Sequence, residues 1–158
     1  MLPELQLAIL DLNARYSQAI DDNRLEEWPG FFTEAAHYIV TTAENFDRGL
    51  PLGMIYATSR AMLRDRVRSL REANIYEAQR YRHVVSVPLL ESAQYGATRA
   101  RTSFIVVRVM HSGESVVFAT GCYRDLIVKD ASDGVLRFAE RVVVLDSRQI
   151  DTLLAVPL

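Results

Sequence analysis

Apolar residues recur at steps of three and four near the start of the chain: Leu5, Ile9, Leu12, Tyr16 and Ile20 make one stripe, and the spacing predicts a helix over residues 3–22. Leu7, Leu10 and Ala14 fall on the opposite side. A helix apolar on two faces either lies deep in a core or touches a second chain. Asp21-Asp22-Asn23 breaks the pattern, and adjacent acids at a helix end read as a solvated turn. Residues 25–32 hold Trp28, Phe31 and Phe32 but are interrupted by Pro29 and Gly30, which predicts a helical turn packing aromatics. Residues 37–42 are β-prone, 43–51 read as a loop and 52–57 as a second strand.

Ser59 is placed to cap a helix running to Ala73, with Leu63, Val67 and Leu70 on its inner arc. Arg60, Arg64, Arg68 and Arg71 form an adjoining stripe, which is either a solvated face or an ion-paired subunit contact; Arg64 and Arg68 are its interface candidates. From Arg80 the period changes. Residues 81–90, 97–110, 115–128 and 135–147 are β-branched runs, and the last three are joined by the turn-rich segments His111-Ser112-Gly113-Glu114 and 129–134, the latter with Asp133-Gly134. Consecutive strands should therefore pair antiparallel. Helices first and a meander last predict one α+β domain over residues 1–158, with a curved antiparallel sheet wrapped over N-terminal helices. The end of the chain, Leu153-Leu154-Ala155-Val156-Pro157-Leu158, has no polar side chain and should dock somewhere; Leu153, Leu154, Val156 and Leu158 are candidates for contact with a neighbouring subunit.

Composition narrows the partners. With 158 residues, 49% hydrophobic and 24% charged, the chain can bury one substantial core. No window is apolar enough to span a bilayer, and residues 1–20 carry acids where a secretory signal would carry a basic start, so a cytoplasmic protein is expected. Lys129 is the only lysine against seventeen arginines, the cation favoured at protein interfaces. A net charge of −2 lacks the basic excess of a nucleic-acid binder. Protein partners are expected, with no nucleic acid and no membrane.

Candidate chemistry is sparse. His37, His83 and His111 are far apart in sequence, so no helix carries a paired-histidine metal motif. Period-two alternation puts His83 on a mostly apolar strand face with Tyr81, Val85 and Val87, where a half-buried histidine bonded to a tyrosine or an acid weighs against a catalytic base in a cavity. Cys122 stands alone, which excludes an internal disulfide and reads as a buried thiol. Glycine-rich phosphate loops and the nucleophile-elbow motif do not occur.

Several segments in order carry a resemblance: Glu27-Trp28-Pro29-Gly30-Phe31-Phe32, then Glu44 through Pro51, Met62 through Arg66, Arg71 through Tyr76, Arg80-Tyr81-Arg82-His83, Arg108 through Glu114, Phe118, Gly121 through Asp125, and Asp151 through Leu158. With these, the chain resembles the small (β) subunits of Rieske-type aromatic-ring-hydroxylating dioxygenases, above all those similar to terephthalate dioxygenase and salicylate 5-hydroxylase. The resemblance implies a cone-shaped fold like that of nuclear transport factor 2 and the cystatins. It implies a homotrimer of β subunits supporting α subunits in an α3β3 oxygenase, with the Rieske iron–sulfur cluster and the mononuclear iron on the α subunit and no cofactor or metal on this chain. A Rieske cluster needs paired cysteines, which this chain lacks. The implied role is structural, in aromatic compound catabolism, with a lean toward an aromatic carboxylate. The same fold supplies the alternative, a stand-alone isomerase, dehydratase or hydrolase using an Asp/His pair in its cavity, for which Tyr16, His37, Asp65 and His83 are the candidate residues.

Overall fold

The computed structural model describes residues 2–50, 53–73, 80–147 and 156–158. Helix α1 (Leu2–Asp21) is followed by a 3-10 turn (Leu25–Phe31), strand β1 (Phe32–Thr42), a short helix α2 (Ala43–Asp47), strand β2 (Ile55–Ala57), helix α3 (Arg60–Ala73), and strands β3 (Arg80–Val85), β4 (Leu89–Gln94), β5 (Ala97–Val109), β6 (Ser115–Lys129) and β7 (Leu136–Leu145). The seven strands form one sheet in the order β2-β1-β7-β6-β5-β3, with β4 also pairing β5. The expected β5-β6-β7 meander is antiparallel. The sheet departs from a wholly antiparallel one at a single place, where β1 lies parallel to β7. That pairing follows from chain order: β1 leaves the N-terminal helical turn and re-enters the sheet beside the last strand of the meander, so α2, α3 and β2 to β6 all lie in the crossover.

The stripe predicted on α1 is the face that packs: Ile9, Leu12, Tyr16 and Ile20 are buried. Burying each such side chain stabilises by about 1.5–3 kcal/mol. Of the second face, Leu7 remains 66% exposed. Helix α3 begins as predicted, with the Ser59 Oγ accepting from the Met62 N–H at 3.2 Å, and Leu63 and Val67 are buried beneath it. The segment read as a loop over 43–51 begins instead with α2, because the Thr42 hydroxyl accepts from the Asn45 N–H and caps a short helix. The run 81–90 is two strands broken at Ser86-Val87-Pro88, since proline cannot donate to a ladder.

A bulge decides what the sheet presents inward. The β6–β7 register shifts between Leu126 and Ile127, so Phe138 pairs Ile127 while Glu140 pairs Leu126. The extra residue flips parity along β7, and Phe138, Arg141, Val143 and Leu145 all face the core. At Gly121 any side chain would collide with the Val144 carbonyl and the Phe104 ring, which lies across β6 there.

Candidate functional site

The interior of the cone is unusually polar and aromatic. Tyr16 on α1 is fully buried, with Phe31, Phe32, Tyr123 and Phe138 edge-on around it at centroid distances of 5.6–6.2 Å. Its hydroxyl accepts from the Trp28 Nε1–H at 3.0 Å and donates to the Leu158 carbonyl at 2.7 Å. Tyr38 on β1 bonds the same residue, donating to the Leu158 carbonyl and accepting from the Leu158 N–H, both at 3.2 Å. Burial pushes the Tyr38 phenol well above its ordinary value and raises that of Tyr16, where Arg141 opposes it. Both therefore stay protonated and act as hydrogen-bonding groups. Leu158 itself is 1% exposed, and Val156 packs against the same core. The sequence offered these two residues as candidates for a subunit contact; within the single chain Leu158 is buried and Val156 packs partly against the same core. Leu153 and Leu154 lie outside the described residues.

Behind Tyr16 a buried ion pair crosses the sheet. Arg141 on β7 donates from Nε and Nη2 to the two carboxylate oxygens of Asp125 on β6, both at 2.8 Å, and Nη2 also reaches Asn13 Oδ1 on α1 at 2.5 Å. Both charged side chains are 0% exposed. The Arg141 guanidinium sits over three rings, at 3.8 Å from Tyr123, 3.9 Å from Phe138 and 4.4 Å from Tyr16. Burial on its own would lower the Arg141 pKa, but the Asp125 charge and hydrogen bonds outweigh it and hold the guanidinium charged. Asn13 Nδ2 then donates to Thr102 Oγ1 at 3.3 Å, tying α1 to β5. Asn13, Thr102, Asp125 and Arg141 did not stand out in the sequence as site residues. The available signal was Asp125 at an inward position of an alternating strand, but the bulge hides the parity of Arg141.

A second polar pair lies toward the C-terminal end of α1. His83 Nδ1 is 2.6 Å from Asp21 Oδ1, and the His83 backbone N–H donates to Asp21 Oδ2 at 2.8 Å. The side chains are 1% and 3% exposed. The carboxylate only accepts, so Nδ1 carries a proton. Such a couple can orient a general base, yet its closed surroundings give solvent no path to it. Asp21 also covers the free edge of β3, which gives the residue a structural task. The sequence placed Asp21 in a solvated turn; the helix instead ends against the sheet, and only Asp22 is exposed.

The four candidates for the catalytic alternative are not brought together. Tyr16 holds the end of the chain, His83 holds Asp21, and His37 lies on the other face of β1 beside the Tyr56 ring at 6.4 Å. Asp65 is on the exposed side of α3, 3.3 Å from Arg68. Arg64 is exposed, and Arg68 makes that exposed pair with Asp65. The rest of the arginine stripe is used internally: Arg60 donates to the Phe32 carbonyl and pairs with Asp130, and Arg71 pairs with Glu26 and donates to the Asn23 carbonyl. Among the described residues no three His, Cys, Asp or Glu side chains are grouped so that they could hold a metal ion. Burial raises the Cys122 thiol, against the pull of Arg124.

On the outer face of the sheet, Val84 and Ile105 stand opposite one another across β3 and β5, 57% and 44% exposed. Val87, Leu89 and Val117 are exposed as well. No helix among the described residues is long and apolar enough to cross a membrane.

Comparison with known proteins gives one family. The model of the ring hydroxylating beta subunit matches residues 15–152. A terephthalate 1,2-dioxygenase terminal oxygenase component subunit beta 2 from Comamonas is 47% identical over the whole of both chains. The anthranilate 1,2-dioxygenase small subunit of Burkholderia cepacia is 42% identical, covering 93% of this chain and 90% of its own. A solved structure from Novosphingobium aromaticivorans, assigned as the beta subunit of an aromatic-ring-hydroxylating dioxygenase, superposes with a TM-score of 0.89 at 34% identity over the full length of both chains.

Proposed function

Because this chain belongs to the ring hydroxylating beta subunit family, we propose that it is the non-catalytic structural subunit of an aromatic-ring-hydroxylating oxygenase acting in aromatic compound catabolism. The observation that carries this is full-length identity of 47% to a terminal oxygenase beta subunit. The interior geometry agrees with it: the groups that could do acid–base work are closed off and engaged in bonds that hold α1, the sheet and Leu158 together. The alternative of a stand-alone cavity enzyme finds no support in the relatives, and its candidates are scattered.

In this reading the partner is an α subunit that carries the Rieske cluster and the mononuclear iron, the assembly is α3β3 around a β trimer, and the complex works in the cytoplasm. The outer apolar pair Val84–Ile105 and its neighbours are surface of the kind that subunit contacts cover. Both curated relatives above are named for aromatic carboxylates, which favours an aromatic carboxylate as the substrate of the whole oxygenase.

The test is co-expression with the cognate α subunit, followed by light scattering and elemental analysis. A complex of both chains that contains iron, beside an isolated β chain that contains none and turns over no aromatic compound, is the expected result. Near one iron per isolated β chain, or failure of the two chains to associate, would overturn it.

A further inference from the structure

Buried polar atoms with no hydrogen-bond partner among the described residues include Ser17 Oγ, His83 Nε2, Tyr123 Oη and Arg141 Nη1, the last on the guanidinium that lies over the Tyr123 ring. Buried polar groups are nearly always bonded, so an orphaned set marks a place where something else bonds them. The first three lie between α1 and the inner face of the sheet. Ser17 lies one helical turn from both Asn13 and Asp21, hence on the face of α1 that meets the sheet. Tyr123 is stacked on Phe104 at 4.4 Å, and Phe104 shares the inner face of β5 with Val106, the residue paired to His83. They border one layer between the second half of α1 and the inner face of β3, β5 and β6. The Asp21 charge is among the influences that raise the Tyr123 phenol, after burial and the nearby Tyr16 and Asp125.

The chemistry selects the occupant. Two hydroxyls both donate and accept, and Asp21 holds a proton on Nδ1, which leaves Nε2 to bond a molecule on its other side. An anion would meet the Asp21 carboxylate. A metal ion would need carboxylate oxygens, and both of those on Asp21 are bonded to His83. An organic molecule has no entrance, because the His83 side chain is 1% exposed and Tyr123 is fully buried. We propose that this layer is an internal hydration site, in which ordered water bonds His83 Nε2 and joins it to the hydroxyls of Ser17 and Tyr123. Water there links α1 to β3 and β6 as an integral part of the fold.

A crystal structure of the intact chain, alone or in its complex, at a resolution that shows ordered solvent tests this directly. The expected result is a water peak about 2.7–3.2 Å from at least two of the three atoms. Direct bonds among the three atoms, absence of a peak, or density for a different molecule would overturn the proposal. Water-17O relaxation dispersion gives a second measurement: the long-lived water signal of the native chain should fall in Ser17→Val and in Tyr123→Phe, and an unchanged signal in a folded variant would refute it.

Discussion

Replacing Asp125 with alanine should be among the most damaging single changes to this chain. Asp125 and Arg141 are both 0% exposed and joined by two bonds of 2.8 Å. Truncating the acid leaves a charged guanidinium in the core with only Asn13 Oδ1 and three aromatic faces for company. Breaking a buried pair by removing one partner costs about 3–5 kcal/mol. The rings offset part of this, since desolvated cation–π contacts contribute about 2 kcal/mol, so the loss should fall toward the lower end. Against a total stability of about 5–15 kcal/mol this is a large fraction. At about 2–4 °C per kcal/mol for a chain of this size, a loss near 3 kcal/mol lowers Tm by about 6–12 °C. Urea unfolding followed by circular dichroism, at several protein concentrations, separates folding from assembly. The paired variant Asp125→Leu with Arg141→Met should recover most of the loss, because an apolar replacement of both partners removes the desolvation cost along with the attraction. If Asp125→Ala costs less than about 1 kcal/mol, the value of an exposed pair, then the pair is not buried as the structure has it.

Two further outcomes are expected. Leu158→Ala should destabilise the single chain by about 2–5 kcal/mol, as for other buried leucines, seen as a lower urea midpoint independent of concentration; unchanged chain stability with a smaller assembly would instead put Leu158 on a neighbour. The exposed turn at the start of β7 should set part of the acid sensitivity. Hydrogen bonds from the Ser132 N–H and hydroxyl hold the Asp130 carboxyl below its ordinary value, and Arg137 and the Val135 N–H do the same for Asp133. A folded-state pKa below the unfolded one contributes stability that is present above the ordinary carboxylate range and lost as pH falls through the depressed value. Asp133→Asn should therefore lower the urea midpoint at neutral pH and converge on the parent in acid, and a gap constant across pH would refute the assignment.

What the sequence determined by itself was the set of elements that rest on local periodicity and caps: α1, α3 with its Ser59 cap, the aromatic turn and the β5-β6-β7 meander with its hairpins. These need only the alternation of apolar residues and the chemistry of turns. The family resemblance was also legible, carried by segments spread over the whole chain, and it anticipated the cone. It left open how the polar interior is wired. Period-two alternation could not place Arg141 and Phe138 on one face, because an extra residue between them shifts the parity, and a bulge is fixed by the partner strand. Asp21 looked like a solvated helix end until β3 arrived from far along the chain to meet it at 2.6 Å. The apolar end of the chain announced that it must be covered, but burial is non-directional, and apolar residues alone cannot say whether the cover is their own core or another subunit. Tyr16 and Tyr38 bond the Leu158 backbone, and only the packing of α1 against β1 brings those two hydroxyls to one point.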